Sequence, residues 1–233
     1  PLQSELIKAV LDNCLMCKAC KNECPSNVDI SKLKSEALQH YYDANGYNVS
    51  TLLVSYLPRL QAMASIAPFL YNWVVSCDFT SKILKNILGF APERTLPKIH
   101  NCNFEKEIKQ RSQKSFKKTI YLFIDEFSRY QDTEIAKTTI KLFSVLGYKV
   151  KKAPIKDSGR TAISKGMLKR AKQIANKNIK TLLPLIDETT PLVGIEPSAT
   201  LSFRDEYPDL VTSDIRKLTQ NTYLFDEFFA KEI

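Results

Sequence analysis

Cys14-Leu-Met-Cys17-Lys-Ala-Cys20-Lys-Asn-Glu-Cys24-Pro25 places four of the chain's six cysteines within eleven residues and closes them with a proline. No other stretch constrains the fold as tightly. The spacing C-x2-C-x2-C-x3-C-P is that of a loop binding a [4Fe–4S] cluster. Thiolates three residues apart on a tight loop can point at successive irons of one cubane. The fourth cysteine, displaced by one residue, often serves a different cluster. The candidate ligands are Cys14, Cys17, Cys20 and Cys24. Lys18 and Lys21 flank them and would offset the negative charge of a thiolate-ligated cluster. A zinc site is the alternative, although structural zinc sites usually divide their ligands into two separated pairs.

The remaining cysteines, Cys77 and Cys102, are isolated in sequence and read as small buried hydrophobes. One of them could complete the ligand set in place of Cys24. Clustered rather than paired cysteines argue against a secreted disulfide framework and for a reducing compartment. A length of 233 residues can bury a sizeable core. The first residues, Pro1-Leu-Gln-Ser-Glu5, contain no initiator Met and no signal-peptide pattern, so the expectation is a piece of a longer protein.

The net charge is +9. Its densest patch is Lys106, Lys109, Arg111, Lys114, Lys117 and Lys118. No aromatic interleaving accompanies it, so it reads as a solvated connection and not a nucleic-acid surface. Residues 60–77 carry no charge. Pro68 interrupts them, and a spanning helix needs about 20 mostly apolar residues. They are expected to form a buried helix pair, with peripheral contact to a membrane as a second use.

Residues 1–100 read as all-helical around the cysteine loop. Helices are expected over 4–11, from Asp29 or Ser31 to about Tyr42, and over 50–56, 60–75 and 80–88. Residues 101–118 read as a linker. Residues 119–233 read as an α/β domain with a small parallel sheet. Its strands are Thr119–Ile124, Tyr148–Val150 and Leu192–Ile195. Helices are expected over 132–146, 164–177 with Ser164 as cap, 199–206, 214–218 and 221–230.

In open parallel sheets ligands bind at the carboxyl ends of the strands. Lys156-Asp-Ser-Gly-Arg160 and Gly194-Ile-Glu-Pro-Ser-Ala199 both fall there. On residue chemistry alone turn formation is the favoured reading: Gly159 for a tight turn, Ser164 for a cap and Pro197 for a helix start. Asp125-Glu126 and Arg204-Asp-Glu206 read as surface ion pairs or caps rather than catalytic pairs.

Together these stretches bear a resemblance. C-L-M-C-K-A-C-K-N-E-C-P-S-N-V-D-I resembles the iron–sulfur part of FAD-linked 2-hydroxy-acid dehydrogenases of the glycolate oxidase, D-lactate and D-2-hydroxyglutarate dehydrogenase type. Y-L-F-I-D-E-F, D-S-G-R-T-A-I-S-K-G and V-G-I-E-P-S-A-T-L-S-F-R-D-E-Y-P-D-L follow the order of that family's cysteine-rich (CCG) domain. The resemblance implies a mixed architecture, an alpha-helical ferredoxin segment followed by the α/β domain. It also implies a [4Fe–4S] cluster relaying electrons from an FAD bound in an absent N-terminal part. The partners it implies are that flavin domain and an electron acceptor, a quinone or soluble carrier. It places the protein in the cytoplasm, peripheral to the inner face of the membrane, and makes the fragment inactive alone.

Two departures matter. Family members carry Cys-Cys-Gly where this chain has Asp157-Ser158-Gly159, and Cys where it has Ala199. Asp and Ser cannot replace thiolates as soft ligands.

Overall fold

The computed structural model describes residues 4–111 and 115–232. Lys114 of the basic patch lies outside the described residues. Eight helices precede the first strand: α1 (Glu5–Asp12), α2 (Ala19–Glu23), α3 (Ile30–Asn45), α4 (Val49–Ser55), α5 (Leu57–Ala64), α6 (Pro68–Ser76), α7 (Asp78–Leu88) and α8 (Phe104–Gln110). There follow β1 (Lys118–Phe123), α9 (Thr133–Val145), β2 (Tyr148–Lys152), α10 (Arg160–Ser164), α11 (Leu168–Leu182), β3 (Leu192–Gly194), α12 (Pro197–Asp205), α13 (Tyr207–Leu210), α14 (Arg216–Gln220), β4 (Thr222–Leu224) and α15 (Phe225–Glu232).

The helix starts follow capping chemistry. Ser4 accepts from the Leu6 N–H, Asp29 from Ser31 and Lys32, and Asn48 from Thr51. Each side chain satisfies a backbone donor that the first turn leaves unpaired. Asn103 does the same for α8 through the Lys106 N–H. The segment expected to be a linker therefore contains a helix, and Phe104 buries it against the sheet layer. Ser164 ends α10 instead of capping a long helix. Gly166, at φ +69°, separates α10 from α11, and α11 runs on to Leu182.

The sheet is wholly parallel, in the order β2-β1-β3-β4. Ile120 of β1 pairs with Val150, and Leu122 with Val193 on the other side. One core cluster packs Ile120, Leu122 and Ile124 against Ala136, Ile140 and Phe143 of α9 and Phe228 of α15. The other packs Phe123 and Leu192 against Ala175, Ile179 and Leu182 of α11 and Phe203 of α12. Helices thus cover both faces, the condition for an all-parallel sheet of continuous apolar strands.

The helical part is fastened to this sheet part. Ser35 Oγ donates to the Ile163 carbonyl, and the Lys169 N–H to Gln39 Oε1. Arg170 lies over the Tyr56 ring at 3.6 Å, with its Nε on the Ser55 carbonyl.

The expectation of a buried helix pair over 60–77 is overturned. Pro68 does break the helix, but Phe69 is 84% and Trp73 57% exposed, and Met63, Ile66 and Leu70 face outward too. In α7 Phe79, Ile83 and Ile87 are exposed at helical spacing while Ser81 and Lys85 are buried. Lys85 reaches the Pro92 carbonyl at 2.6 Å, which satisfies its ammonium on the inner side. Periodicity identifies an apolar stripe but not the side it faces.

Candidate metal centre

The cysteine loop runs from the end of α1 through α2 to Asp29. Among the described residues the non-glycine positions with left-handed backbone are Met16 (φ 56°), Lys18 (φ 63°) and Asn27 (φ 54°). All three lie in this loop. Such conformations cost on the order of 1 kcal/mol or more each, and they concentrate at functional sites. Residue type signals one of them, since Asn tolerates this region, but Met16 and Lys18 stand where glycine would be the expected occupant.

Tertiary contacts hold the strained turns. Met16 is buried among Ala162 and Ile163 of α10 and Met167 and Ala171 at the start of α11. Lys18 Nζ meets Glu206 Oε1 at 2.7 Å and Asp205 Oδ2 at 3.0 Å. Lys32 pairs with Asp209. Lys34 is buried, and its Nζ donates to the Cys14 carbonyl at 2.7 Å. Desolvation pulls that amine below the ordinary lysine range, and a charge at Cys14 would oppose the shift. The flanking lysines are therefore not equivalent. Lys18, expected to offset the charge of a cluster, is already committed to two carboxylates.

The donors suit an iron–sulfur cluster in kind. Backbone N–H groups of Val28, Ser26 and Asn27 hold the Cys24 thiol below the usual range. The thiolate they favour is the metal-binding form. The Met16 N–H lies 3.4 Å from Cys14 Sγ, a second sulfur bonded by backbone. The sulfurs are not drawn together. Cys17 and Cys20 are exposed, Cys14 and Cys24 half-buried, and all are free thiols. Among the described residues no three His, Cys, Asp or Glu side chains are grouped so as to hold a metal ion. Cys77 precedes α7 as its cap residue, and Cys102 packs against the sheet core. Burial raises the Cys102 thiol, whereas N–H and hydroxyl donors at Thr80 and Phe79 lower that of Cys77.

The carboxyl edge of the sheet carries the second constellation. Asp125 and Glu126 follow β1 and are fully buried, not on the surface as expected. Asp125 Oδ1 accepts from the Phe127 and Ser128 N–H groups, which is a turn-capping role. Glu126 takes the Ser158 N–H at 3.1 Å and the Ser158 hydroxyl at 2.7 Å. Tyr207 Oη donates to the Ser158 carbonyl, and Asn178 Nδ2 reaches both Tyr207 Oη and the Asp157 carbonyl. Gly159 is left-handed, as a tight turn needs. Glu196 caps α12 through Ser198 and Ala199, with Pro197 at the first helical position. Asp157 and Ser158 are thus held by hydrogen bonds to Asn178, Glu126 and Tyr207, and Ala199 is packed in the core. A cavity of about 350 Å³ beside Asp157 opens toward Arg59, Lys156 and Lys177 and is not lined by residues 196–199.

The chain is 26% identical to the D-2-hydroxyglutarate dehydrogenase of Haemophilus influenzae, over 95% of this chain and 23% of that protein. It is 24% identical to the D-2-hydroxyglutarate dehydrogenase of Escherichia coli K12, over 88% and 21%. It is 23% identical to a subunit of the anaerobic glycerol-3-phosphate dehydrogenase of Escherichia coli K12, over 90% and 54%. This chain is similar to part of a dehydrogenase. It spans under a quarter of the D-2-hydroxyglutarate dehydrogenases and about half of the glycerol-3-phosphate dehydrogenase polypeptide. No protein-family model and no solved structure matches it.

Proposed function

We propose that this chain is the electron-transfer portion of an FAD-linked oxidoreductase acting on a 2-hydroxy acid. On this reading residues 1–100 are a ferredoxin-like helical segment, 101–118 a connection, and 119–233 a cysteine-rich-type domain that has lost its cysteines. Cys14, Cys17, Cys20 and Cys24 hold iron–sulfur clusters, with Cys24 serving this cluster or a neighbouring one. The clusters would pass electrons singly from a flavin bound elsewhere in the full protein to a quinone or soluble carrier. Two of its relatives are D-2-hydroxyglutarate dehydrogenases and one is part of a glycerol-3-phosphate dehydrogenase, which supports the class.

The observation that carries the reading is the concentration of left-handed residues in one four-cysteine loop, with the Met16 N–H set on Cys14 Sγ. A loop of idle thiols has no use for that strain. The outward apolar side chains of α5, α6 and α7 give the chain a surface to set against the flavin domain or a membrane face. Among the described residues no helix is long and apolar enough to cross a membrane.

Anaerobic reconstitution with iron and sulfide tests the reading. The expected result is a brown protein absorbing near 400 nm, with an EPR signal on reduction and iron and sulfide in comparable amounts. Stoichiometric zinc with no iron uptake would replace it with a zinc-stabilised interaction module.

A further inference from the structure

Arg129 is only 8% exposed. It sits in the turn between β1 and α9, where its Nη2 donates to the Ile124 carbonyl at 2.9 Å and the Ile155 carbonyl at 3.0 Å. That clip joins the chain leaving β1 to the chain leaving β2 and uses one of three guanidinium nitrogens. Nε is enclosed and has no hydrogen-bond partner. Among the described residues Arg129 forms no ion pair. The carboxyl groups whose charge reaches it, Asp125 and Glu126, are bonded elsewhere, to the Phe127 and Ser128 N–H groups and to Ser158. Glu126 is moreover largely neutral at pH 7, because burial pushes it up to about 8. A buried guanidinium is ordinarily paired, since desolvation penalises its charge. This one lacks that compensation.

Arg129 lines a cavity of about 300 Å³, a size at the lower end for small-molecule pockets. Ser65 after α5, Asn101, Cys102 and Asn103 before α8, and Lys152 at the end of β2 form the wall around it. Asn103 accepts the Lys106 N–H on its Oδ1, which leaves its Nδ2 as a donor. Lys152 is paired with Glu105 at 2.6 Å, so the uncompensated positive charge of the wall belongs to Arg129. The wall is held from outside the cavity. Asn72 takes the Ile99 N–H at 2.8 Å and gives to the Ile99 carbonyl at 2.9 Å, and the His100 N–H donates to the Tyr130 carbonyl at 2.7 Å. Residues 99–103 are thereby tied both to α6 and to the turn that carries Arg129.

We propose that this cavity is a binding site for a small oxyanion, whose carboxylate or phosphate group Arg129 anchors and Ser65, Asn101 and Asn103 orient. A guanidinium matches both groups through its planar array of donors. No residue of the cysteine loop lines the cavity, and the site stands whether or not the loop holds a cluster.

Cys102, in the cavity wall, is the reporter. Its alkylation by iodoacetamide, a neutral reagent, is read by mass spectrometry on the full 233-residue chain, reduced and anaerobic. Millimolar malonate and millimolar inorganic phosphate are compared with sodium chloride of equal ionic strength. An occupied site slows Cys102 by about threefold when the anion is at twice its dissociation constant, while Cys77 keeps its rate. Protection by malonate alone assigns the site to carboxylates, by phosphate alone to phosphate groups, and by both to either. Arg129→Met should abolish the protection. Because that variant also loses the clip to Ile124 and Ile155, Asn101→Ala is the second one. Asn101 is exposed, so its removal should weaken the protection several-fold and leave the unfolding midpoint unchanged. Alkylation of Cys102 at the chloride rate in both anions would overturn the proposal. So would protection that persists undiminished in Asn101→Ala and in folded Arg129→Met, or an equal slowing of Cys77.

Discussion

Ser158 gives both its backbone N–H and its hydroxyl to the Glu126 carboxyl group, at 3.1 and 2.7 Å, in a site with no solvent access at either residue. Two donors are not enough to keep that carboxyl ionised. Burial, with the charge of Asp157 adding to it, pushes Glu126 up to about 8. The unfolded chain releases this proton near the ordinary glutamate value, and the fold keeps it until the higher one. Between those limits the native state binds more protons, so stability falls as pH rises. Glu126→Gln removes the ionisation and should flatten this slope, gaining on the order of 2–4 kcal/mol over the parent between pH 5 and pH 8. Urea midpoints across that range check it. A parent and variant that keep a constant difference would place the titration elsewhere.

The thiols should separate by pH. Cys24 is lowered by three backbone N–H donors, while Cys102 is raised by burial. Residue-resolved alkylation from pH 6 to pH 10 should show Cys24 reaching its plateau below the ordinary cysteine range and Cys102 above it. Coincident profiles would remove the N–H cradle from the account.

Met16 ties the loop to α10 and α11. Met16→Ala deletes a buried side chain that the pocket cannot fully collapse around. It should cost about 2–4 kcal/mol in chemical denaturation. Because the lost contact also holds a left-handed turn, Cys17 should become more rapidly exchangeable with small disulfides. A loss under about 0.5 kcal/mol would show that the loop is not seated there.

Gly166 joins the two parts by close approach. A Cβ there would overlap Leu38 of α3, and its φ of +69° is strained for any other residue. Gly166→Ala should destabilise by several kcal/mol, beyond the roughly 1 kcal/mol of backbone strain alone. Gly89 is the control. It has the same φ of +69° and only an ordinary contact with Ser50, so Gly89→Ala should show the strain cost only.

The outward stripe should matter for association and not for folding. Phe69 and Trp73 are exposed, so Phe69→Ser and Trp73→Ser should move stability by no more than about 0.5 kcal/mol. They should reduce self-association measured by sedimentation at high protein concentration. A large loss of stability would place these rings in the core.

Much of this architecture was legible in the residues. The cap at Asp29, one of the two candidates, the break at Pro68 and the apolar run of β1 all depend on local chemistry and stand where such chemistry puts them. β4 was not legible. Thr222-Tyr-Leu224 is too short for any period to emerge before the Phe-rich α15, and only its pairing with β3 makes it a strand. α8 carried a readable cap in Asn103, which the lysines around it obscured. At the candidate site the cysteine spacing was local and visible. The bond from Lys18 to Glu206 was not, because it joins residues 188 positions apart and exists only once β3 and α12 have packed. The outward direction of the α7 stripe depends on what surrounds the helix, which no helix encodes by itself.

The plug at the sheet edge also bears on how this protein can change. Ser158 donates strongly to Glu126, Ala199 is fully buried beside Thr200, and a Cβ on Gly194 would overlap the Thr200 side chain. A cysteine at 158 alone would replace a hydroxyl donor with a weak one and leave an enclosed carboxyl poorly matched. At 199 alone it would press sulfur into filled space. The same hydrogen bonds thus resist substitution at this edge and make it a firm backing for the cysteine loop.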